Sequence, residues 1–229
     1  MIKAVLFDLD NTLTDFMKMK KYCCEDAVTA MIGAGLPLSR KKALKLLYEL
    51  YDKYGIEHQK IFQPFLKKAI GRIDWRILAE GIVAYRRAKN SLLQPYPKTV
   101  PTLIKLNKMG LKLGIVSDAP RMQAWMRLAS MQMSDFFDIV ITKDDVKGKL
   151  KPHQLPFKTA IHKLDVSPTE ILFVGDNPDR DIKGAKEAGM KTALALYGEH
   201  PARNHARADY ALRSVHDIVK VVKTLKTKK

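Results

Sequence analysis

The chain has 229 residues, 46% of them hydrophobic and 28% charged, the composition of a folded chain long enough for one domain or two modest ones. It carries 41 Lys and Arg against 24 Asp and Glu, a net charge of +17, and no apolar run reaches the roughly 18 residues of a membrane helix. Its only cysteines, Cys23 and Cys24, are adjacent, which excludes a disulfide framework and zinc spacing and suits a reducing cytoplasm.

The first apolar run, Ala4–Phe7, meets acid at once and reads as a buried strand rather than a secretion signal. From 15 to 94 the periodicity is helical throughout, over Ala27–Met31, Lys41–Tyr54, Ile61–Ile70 and Ile77–Ala88. Strands and helices then alternate. Helix Lys98–Met109 has Pro101 in its first turn and Gly110 as its stop, and strand Leu111–Val116 follows. Next come helix Met122–Met131, strand Ile139–Ile141, helix Phe157–Leu164 and strand Ile171–Val174. Helix Asp181–Ala188 stops at Gly189, and strand Thr192–Leu196, a weaker strand Ala208–Leu212 and a Lys-rich final helix complete the chain. This alternation predicts an α/β fold, a parallel sheet with helices on both faces, built from 1–14 and 95–229. An all-α bundle over 15–94 interrupts it after the first strand.

The positive charge is scattered over Lys18, Lys20, Lys21, Arg40 to Lys42, Lys67, Lys68, Arg86, Arg87 and the tail. No recognition helix or aromatic interleaving accompanies it, so it reads as a solvated Lys-rich surface rather than a nucleic-acid interface. Attraction of a small anionic substrate is compatible with that reading.

Three of the strands end in polar residues, and open α/β sheets bind ligands at their carboxyl edge. The first ends in Asp8-Leu9-Asp10-Asn11-Thr12, the second in Ser117-Asp118, and the Ile171–Val174 strand in Gly175-Asp176-Asn177 with Asp181 beyond; Lys151-Pro152 precedes that last strand. If these strands are neighbours, four carboxylates, a hydroxyl and an ammonium share one crevice. Crowded carboxylates raise one another's pKa, a conflict that a hard divalent cation with oxygen ligands resolves, and Mg²⁺ fits the donor set. A carboxylate can then attack phosphorus, and a second one, two residues along, can protonate the leaving alkoxide and later deprotonate water. Ser117 and the backbone N–H groups after Asp8 could hold phosphoryl oxygens, with Lys151 offsetting their charge.

Asp8-x-Asp10-Asn11-Thr12, Ser117, Lys151-Pro152 and Gly175-Asp176-x-x-x-x-Asp181 resemble, in order, the four motifs of the haloacid dehalogenase-like hydrolase superfamily. The helical insert falls between the first two motifs, where one subfamily carries an α-helical cap. The resemblance implies a Rossmann-like core, Mg²⁺ dependence and an aspartyl-phosphate intermediate. By position, Asp8 matches the nucleophile, Asp10 the general acid/base, and Ser117 and Lys151 the phosphate-binding pair; Asn11, Thr12 and Asp118, beside these motifs, are further candidates for the phosphate site. Asp8, the Asp10 carbonyl and Asp176 match the metal ligands, with Asp181 supporting them from behind. Asp10 favours phosphoryl transfer, because the family's dehalogenases lack this second carboxylate. Asp118 stands where the family often has Asn, and His153 where it frequently has an acid.

The expected activity is therefore phosphate monoester hydrolysis of a small phosphorylated metabolite, of the phosphoglycolate, glyceraldehyde phosphate or sugar phosphate type. A phosphomutase, a phosphonatase and a non-catalytic basic binding protein on the same fold are the alternatives. Expected partners are the small substrate and at most a second copy of the chain (monomer or homodimer), not a membrane or nucleic acid. Elsewhere, Lys18, Lys20 and Lys21 read as a solvated helix face, Cys23 and Cys24 as small helix residues, and His153, His200 and His205 as surface groups. Met122, Met126, Met131 and Met133 read as core, while Tyr48, Tyr51 and Tyr54 could face either the insert's core or a substrate entrance.

Overall fold

The computed structural model describes residues 1–198 and 208–227. In chain order its elements are β1 (Ala4–Phe7), α1 (Phe16–Gly33), α2 (Arg40–Tyr54), α3 (Phe62–Ile70), α4 (Trp75–Leu92), α5 (Thr99–Lys108) and β2 (Lys112–Val116). There follow α6 (Arg121–Ser130), β3 (Ile139–Ile141), α7 (Gln154–Leu164), β4 (Ile171–Gly175), α8 (Lys183–Glu187), β5 (Lys191–Ala195), β6 (Tyr210–Leu212) and α9 (Asp217–Thr227). They group into two compact units, Met1–Phe16 with Gln94–Lys229, and Met17–Leu93. His200 and His205 lie outside the described residues. Among the described residues no helix is long and apolar enough to cross a membrane.

The first unit is a six-stranded parallel sheet in the order β3-β2-β1-β4-β5-β6. Parallel strands buried on both faces must be apolar throughout, and all four residues of β1 and all five of β4 are buried. Helices α7 and α8 cover the face that carries Ala4, Leu6, Val116 and Phe173. Phe157 of α7 meets Phe173 edge-on with ring centres 5.2 Å apart. Burying such a ring stabilises the fold by about 1.5–3 kcal/mol. After β3 the chain crosses over β2 and β1 to lay β4 on the other side of β1, so the strand order reverses beside β1. Such a switch point opens a crevice at the carboxyl ends of the strands. The ladder runs one residue past the strands, with the Asp8 N–H donating to Val174 (2.9 Å) and the Ser117 N–H to Ile141 (2.9 Å), which brings the polar strand ends to that crevice.

The long insert leaves and re-enters this unit at one seam. The Thr14 hydroxyl donates to the Gln94 carbonyl at 2.7 Å, and the Tyr96 N–H to Leu13 at 2.9 Å.

The second unit is the all-α bundle α1–α4, with a core that includes Val28, Met31, Leu47, Phe65, Leu66 and Leu78. Its helices start and stop on local chemistry. Ser39 accepts from the Lys42 N–H at the start of α2, Asp74 accepts from Arg76 and Ile77 at the start of α4, and Gly71 closes α3 in the left-handed region.

The structure departs from the sequence reading in four places. Helix α1 runs for 18 residues where the periodicity picked out only Ala27–Met31. Its buried stripe, Met19, Cys23, Cys24, Ala27, Val28 and Met31, also contains Lys20, which is buried and not on a solvated face. Met131 and Met133 are core, but Met122 (68% exposed) and Met126 (46%) face outward on α6. The expected helix Asp181–Ala188 divides into a π-helical turn, Pro178–Ile182, and the short α8. The tyrosine question resolves by position: Tyr51 is buried in the insert's core, Tyr48 packs against it half-buried, and Tyr54 is exposed.

Candidate active site

Asp8 leaves the end of β1 with its carboxylate buried, and its Oδ1 accepts from the Lys151 Nζ at 2.6 Å. The same ammonium donates to the Val116 carbonyl at 2.9 Å and forms an ion pair with Asp181 Oδ1 at 2.7 Å, so oxygens from three chain segments surround it. Burial works against the Lys151 charge, but the carboxylates of Asp181 and Asp8 outweigh it and hold the ammonium well above the ordinary lysine range. Asp8 moves the other way for a carboxylate. Burial raises its pKa well above the usual value, Lys151 opposes that rise, and the charges of Asp181, Asp176 and Asp10 add to it.

Asp176 follows β4 and accepts from the Thr12 hydroxyl on Oδ1 at 3.4 Å. Asp181 sits fully buried in the π-helical turn, and its Oδ2 accepts from the Asn177 N–H at 3.0 Å. Asp8, Asp176 and Asp181 each offer a carboxylate oxygen within 4.8 Å of the others, so one cation could touch all three. The π-turn is capped not by Asp181 but by Asn177, whose side-chain oxygen accepts from Asp179 (3.0 Å) and Arg180 (3.1 Å). That division of labour leaves the Asp181 carboxylate free to turn inward. Gly175 makes room for it, since a Cβ there would lie 2.5 Å from the Asp181 Cβ and 2.6 Å from its carboxyl carbon.

Around this centre the structure gives several expected residues more specific work. Ser117 is buried at the end of β2, and its hydroxyl accepts from the Ala119 N–H at 3.2 Å. The Asp118 carboxylate holds the Lys151 N–H at 3.0 Å through Oδ1 and Arg180 at 3.4 Å through Oδ2, so it pins the lysine loop and its charge meets a guanidinium. Asn11 takes the left-handed region (φ 59°), and its N–H is spent on the Thr14 carbonyl at 2.7 Å, while that of Leu13 is spent on Leu9 at 2.9 Å. Two of the amides after Asp8 therefore close the loop rather than face a ligand. His153 caps α7, its Nδ1 accepting from the Leu155 N–H at 3.0 Å.

Three contributors escaped the sequence reading. Tyr197 donates its hydroxyl to the Thr12 carbonyl at 3.0 Å, Arg180 faces Asp118, and the buried Arg127 of α6 approaches Asp10 Oδ2 at 3.2 Å. Only Arg127 left a signal, as a lone cation on the buried face formed by Ala124 and Leu128.

Residues 5–195 match the family model described as haloacid dehalogenase-like hydrolase. The chain belongs to that family. Among its relatives, the glyceraldehyde 3-phosphate phosphatase of Methanocaldococcus jannaschii is 37% identical over 227 residues, 99% of each chain. A protein of the same description from Methanopyrus kandleri is 34% identical over 231 residues, covering 98% of this chain and 99% of that one. The crystal structure of a HAD phosphatase from Thermococcus onnurineus superposes with a TM-score of 0.70 at 29% identity, covering 96% of this chain and 98% of that one. The family named from the four motifs is thus shown, together with its Rossmann-like core. As a member of the hydrolase family, the chain has its Asp8, Lys151, Asp176 and Asp181 gathered by β1, β2 and β4 at one edge of the sheet, with Asp10 two residues beyond Asp8.

Proposed function

We propose that the chain is a Mg²⁺-dependent phosphatase that hydrolyses a small phosphorylated metabolite through an aspartyl-phosphate at Asp8. The observation that carries the reading is the buried Asp8 carboxylate, held by Lys151 at 2.6 Å and grouped with Asp176 and Asp181 within 4.8 Å. Glyceraldehyde 3-phosphate is the substrate to try first, since relatives that align end to end with this chain carry that activity in their names.

The donor set fits a hard cation. Three buried carboxylates cluster, two of them paired with the Lys151 ammonium, and burial already pushes the Asp8 carboxyl toward its neutral form. Asp8, Asp176 and the Asp10 carbonyl would hold Mg²⁺, and Asp181 would steady Lys151 and the Asn177 backbone behind them. When bound, the ion supplies the positive charge that keeps Asp8 ionised and offsets the charge of the phosphoryl group.

The chain's own residues do the rest. An Asp8 oxygen attacks phosphorus, and the bond from phosphorus to the substrate's ester oxygen breaks as Asp10 gives its proton to that oxygen. Water then attacks the aspartyl-phosphate and passes a proton to Asp10, the Asp8–phosphorus bond breaks, and phosphate leaves. Lys151 balances the charge on Asp8, and Ser117 lies within the same crevice to meet a phosphoryl oxygen. The Met17–Leu93 unit, inserted between the first and second motifs, is proposed as the cap that restricts the substrate by size.

The test is hydrolysis of glyceraldehyde 3-phosphate and of 4-nitrophenyl phosphate, with Mg²⁺ and with EDTA, alongside Asp8→Asn. Turnover that needs both Mg²⁺ and Asp8 is expected, since an amide cannot form the acyl phosphate. Equal rates in EDTA, or in Asp8→Asn, would overturn the assignment.

A further inference from the structure

Arg127 is the largest fully buried side chain of the molecule among the described residues, only 2% exposed. A buried guanidinium is costly unless charge and packing compensate it, so its surroundings show what it is for. Its edge faces the site: Nη1 lies 3.2 Å from Asp10 Oδ2. Its flat face lies on Phe16, with the guanidinium carbon 4.3 Å from the ring centre. Phe16 is itself buried, and its N–H donates to Thr14 at 3.0 Å, within the loop that carries Asp10. Arg127 therefore grips that loop at two points, a carboxylate and a ring six residues apart in sequence. The planar, forked guanidinium suits this double duty, and a lysine ammonium does not.

We infer that Arg127 is the positioning residue of the acid/base carboxylate, a buried strut from α6 that fixes the rotation of Asp10 so that its proton is delivered along the line to the reacting oxygen. The inference rests on the proposed phosphatase reading, in which Asp10 serves two steps. In the first, its proton goes to the ester oxygen as the bond from that oxygen to phosphorus breaks and the Asp8–phosphorus bond forms. In the second, a proton from water goes to Asp10 as the water oxygen bonds to phosphorus and the Asp8–phosphorus bond breaks. A good leaving group such as 4-nitrophenolate departs without a proton, so the first step then needs little from Asp10, whereas the second always needs it. Losing the strut should separate the steps in a way that general loosening of the fold would not.

The experiment compares wild type, Arg127→Met, Arg127→Lys and Phe16→Leu by rapid quench and steady-state kinetics, with 4-nitrophenyl phosphate and with glyceraldehyde 3-phosphate. Melting temperatures and active-site titration count the folded enzyme. For Arg127→Met the expected steady-state kcat falls about 10- to 100-fold with both substrates, the lower part of the range for losing acid/base assistance, and KM does not rise; with 4-nitrophenyl phosphate it falls along with kcat, because breakdown of the aspartyl-phosphate then limits the rate. With 4-nitrophenyl phosphate a burst of nitrophenol should remain, close to one equivalent per folded site; with the alkyl phosphate the burst should vanish. Arg127→Lys should recover part of the rate, and Phe16→Leu should show the same pattern more weakly. Equal slowing of burst and steady state, or a rise in KM with both steps intact, would overturn the inference and make Arg127 a structural or a substrate-binding residue. Failure of the underlying reading would look different, as Mg²⁺-stimulated turnover that survives Asp8→Asn, and the inference would fall with it.

Discussion

Among the described residues each unit of the molecule buries one lysine, and the two ammonium groups are treated in opposite ways. Lys151 in the α/β unit is fixed by point charges and one carbonyl, with Asp8, Asp181 and Val116 all within 2.9 Å. Lys20 in the helical unit lies over the Tyr51 ring (4.2 Å) and the Tyr85 ring (5.1 Å) and donates to the Tyr85 hydroxyl at 2.9 Å. Carboxylates hold a cation at one point with strong, directional forces, whereas aromatic faces hold it loosely over an area. The first arrangement suits a group that must stay beside a reacting carboxylate through changes of charge. The second makes a lysine tolerable inside a helical core.

The largest expected effect comes from breaking the first arrangement. Lys151→Met strands buried carboxylates without their cation, and removing one partner of a buried pair costs about 3–5 kcal/mol. Urea denaturation in EDTA should show that loss, and turnover should fall to background. Lys20→Met leaves an apolar side chain in an apolar stripe, so the same measurement should show at most about 1–2 kcal/mol, the value of a cation–ring contact and a hydrogen bond. Comparable losses from the two variants would erase the contrast between the units.

Gly175→Ala sharpens the comparison without touching a charge. The added methyl meets Asp181 at 2.5–2.6 Å, and Asp181 is held by Lys151, so the clash cannot be relieved by swinging one flexible tip. A destabilisation of about 1–3 kcal/mol is expected from overpacking, together with weaker Mg²⁺ binding by isothermal titration. On the proposed reading Mg²⁺ itself should raise the melting temperature of the wild type, because it would bind only the folded cluster; at a hundred-fold excess over Kd the gain is about 2.7 kcal/mol. Asp176→Asn should abolish most of that shift, and an unchanged shift would place the ion elsewhere.

The last expected effect belongs to the helical unit and is absent near neutral pH. Burial, helped by the neighbouring Cys24, pushes the Cys23 thiol from 9.0 up to about 12, and burial pushes Cys24 up to about 11 against the pull of Lys20. The unfolded chain gives up these protons first. Their contribution to stability is therefore complete below pH 9.0 and is lost as pH rises toward 11 and 12. Stability against pH should fall less steeply over that window in a Cys23→Ala, Cys24→Ala double variant, and iodoacetamide at pH 8 should label the wild type only on unfolding.

The elements that were legible from the sequence share one property, a signal carried by neighbours along the chain. Ile171–Gly175 is an unbroken apolar run bounded by polar residues, and α5 and α2 announce themselves through three- and four-residue spacing. Where the signal mixed, the reading shortened or slipped. Helix α1 is hard to see because Lys20 occupies its buried stripe, where tyrosine rings from α2 and α4, distant in the sequence, lie against its ammonium. Met122 and Met126 share a helical step with true core residues, yet they lie one step around α6 from its buried face of Ala124, Arg127 and Leu128.

Sequence by itself determined the family, the parallel sheet, the three polar strand ends and the Lys151-Pro152 motif, because each rests on residues within a few positions of one another. Only the tertiary structure decided how those polar groups share their work. Lys151 meets Asp8 across 143 residues of chain, Thr12 meets Asp176 across 164, and Arg127 meets Asp10 through a helix that the motifs do not include. No local pattern encodes such partners. They follow from the reversal of strand order beside β1, which brings distant strand ends to one edge, and from burial there, which makes each charge depend on the next.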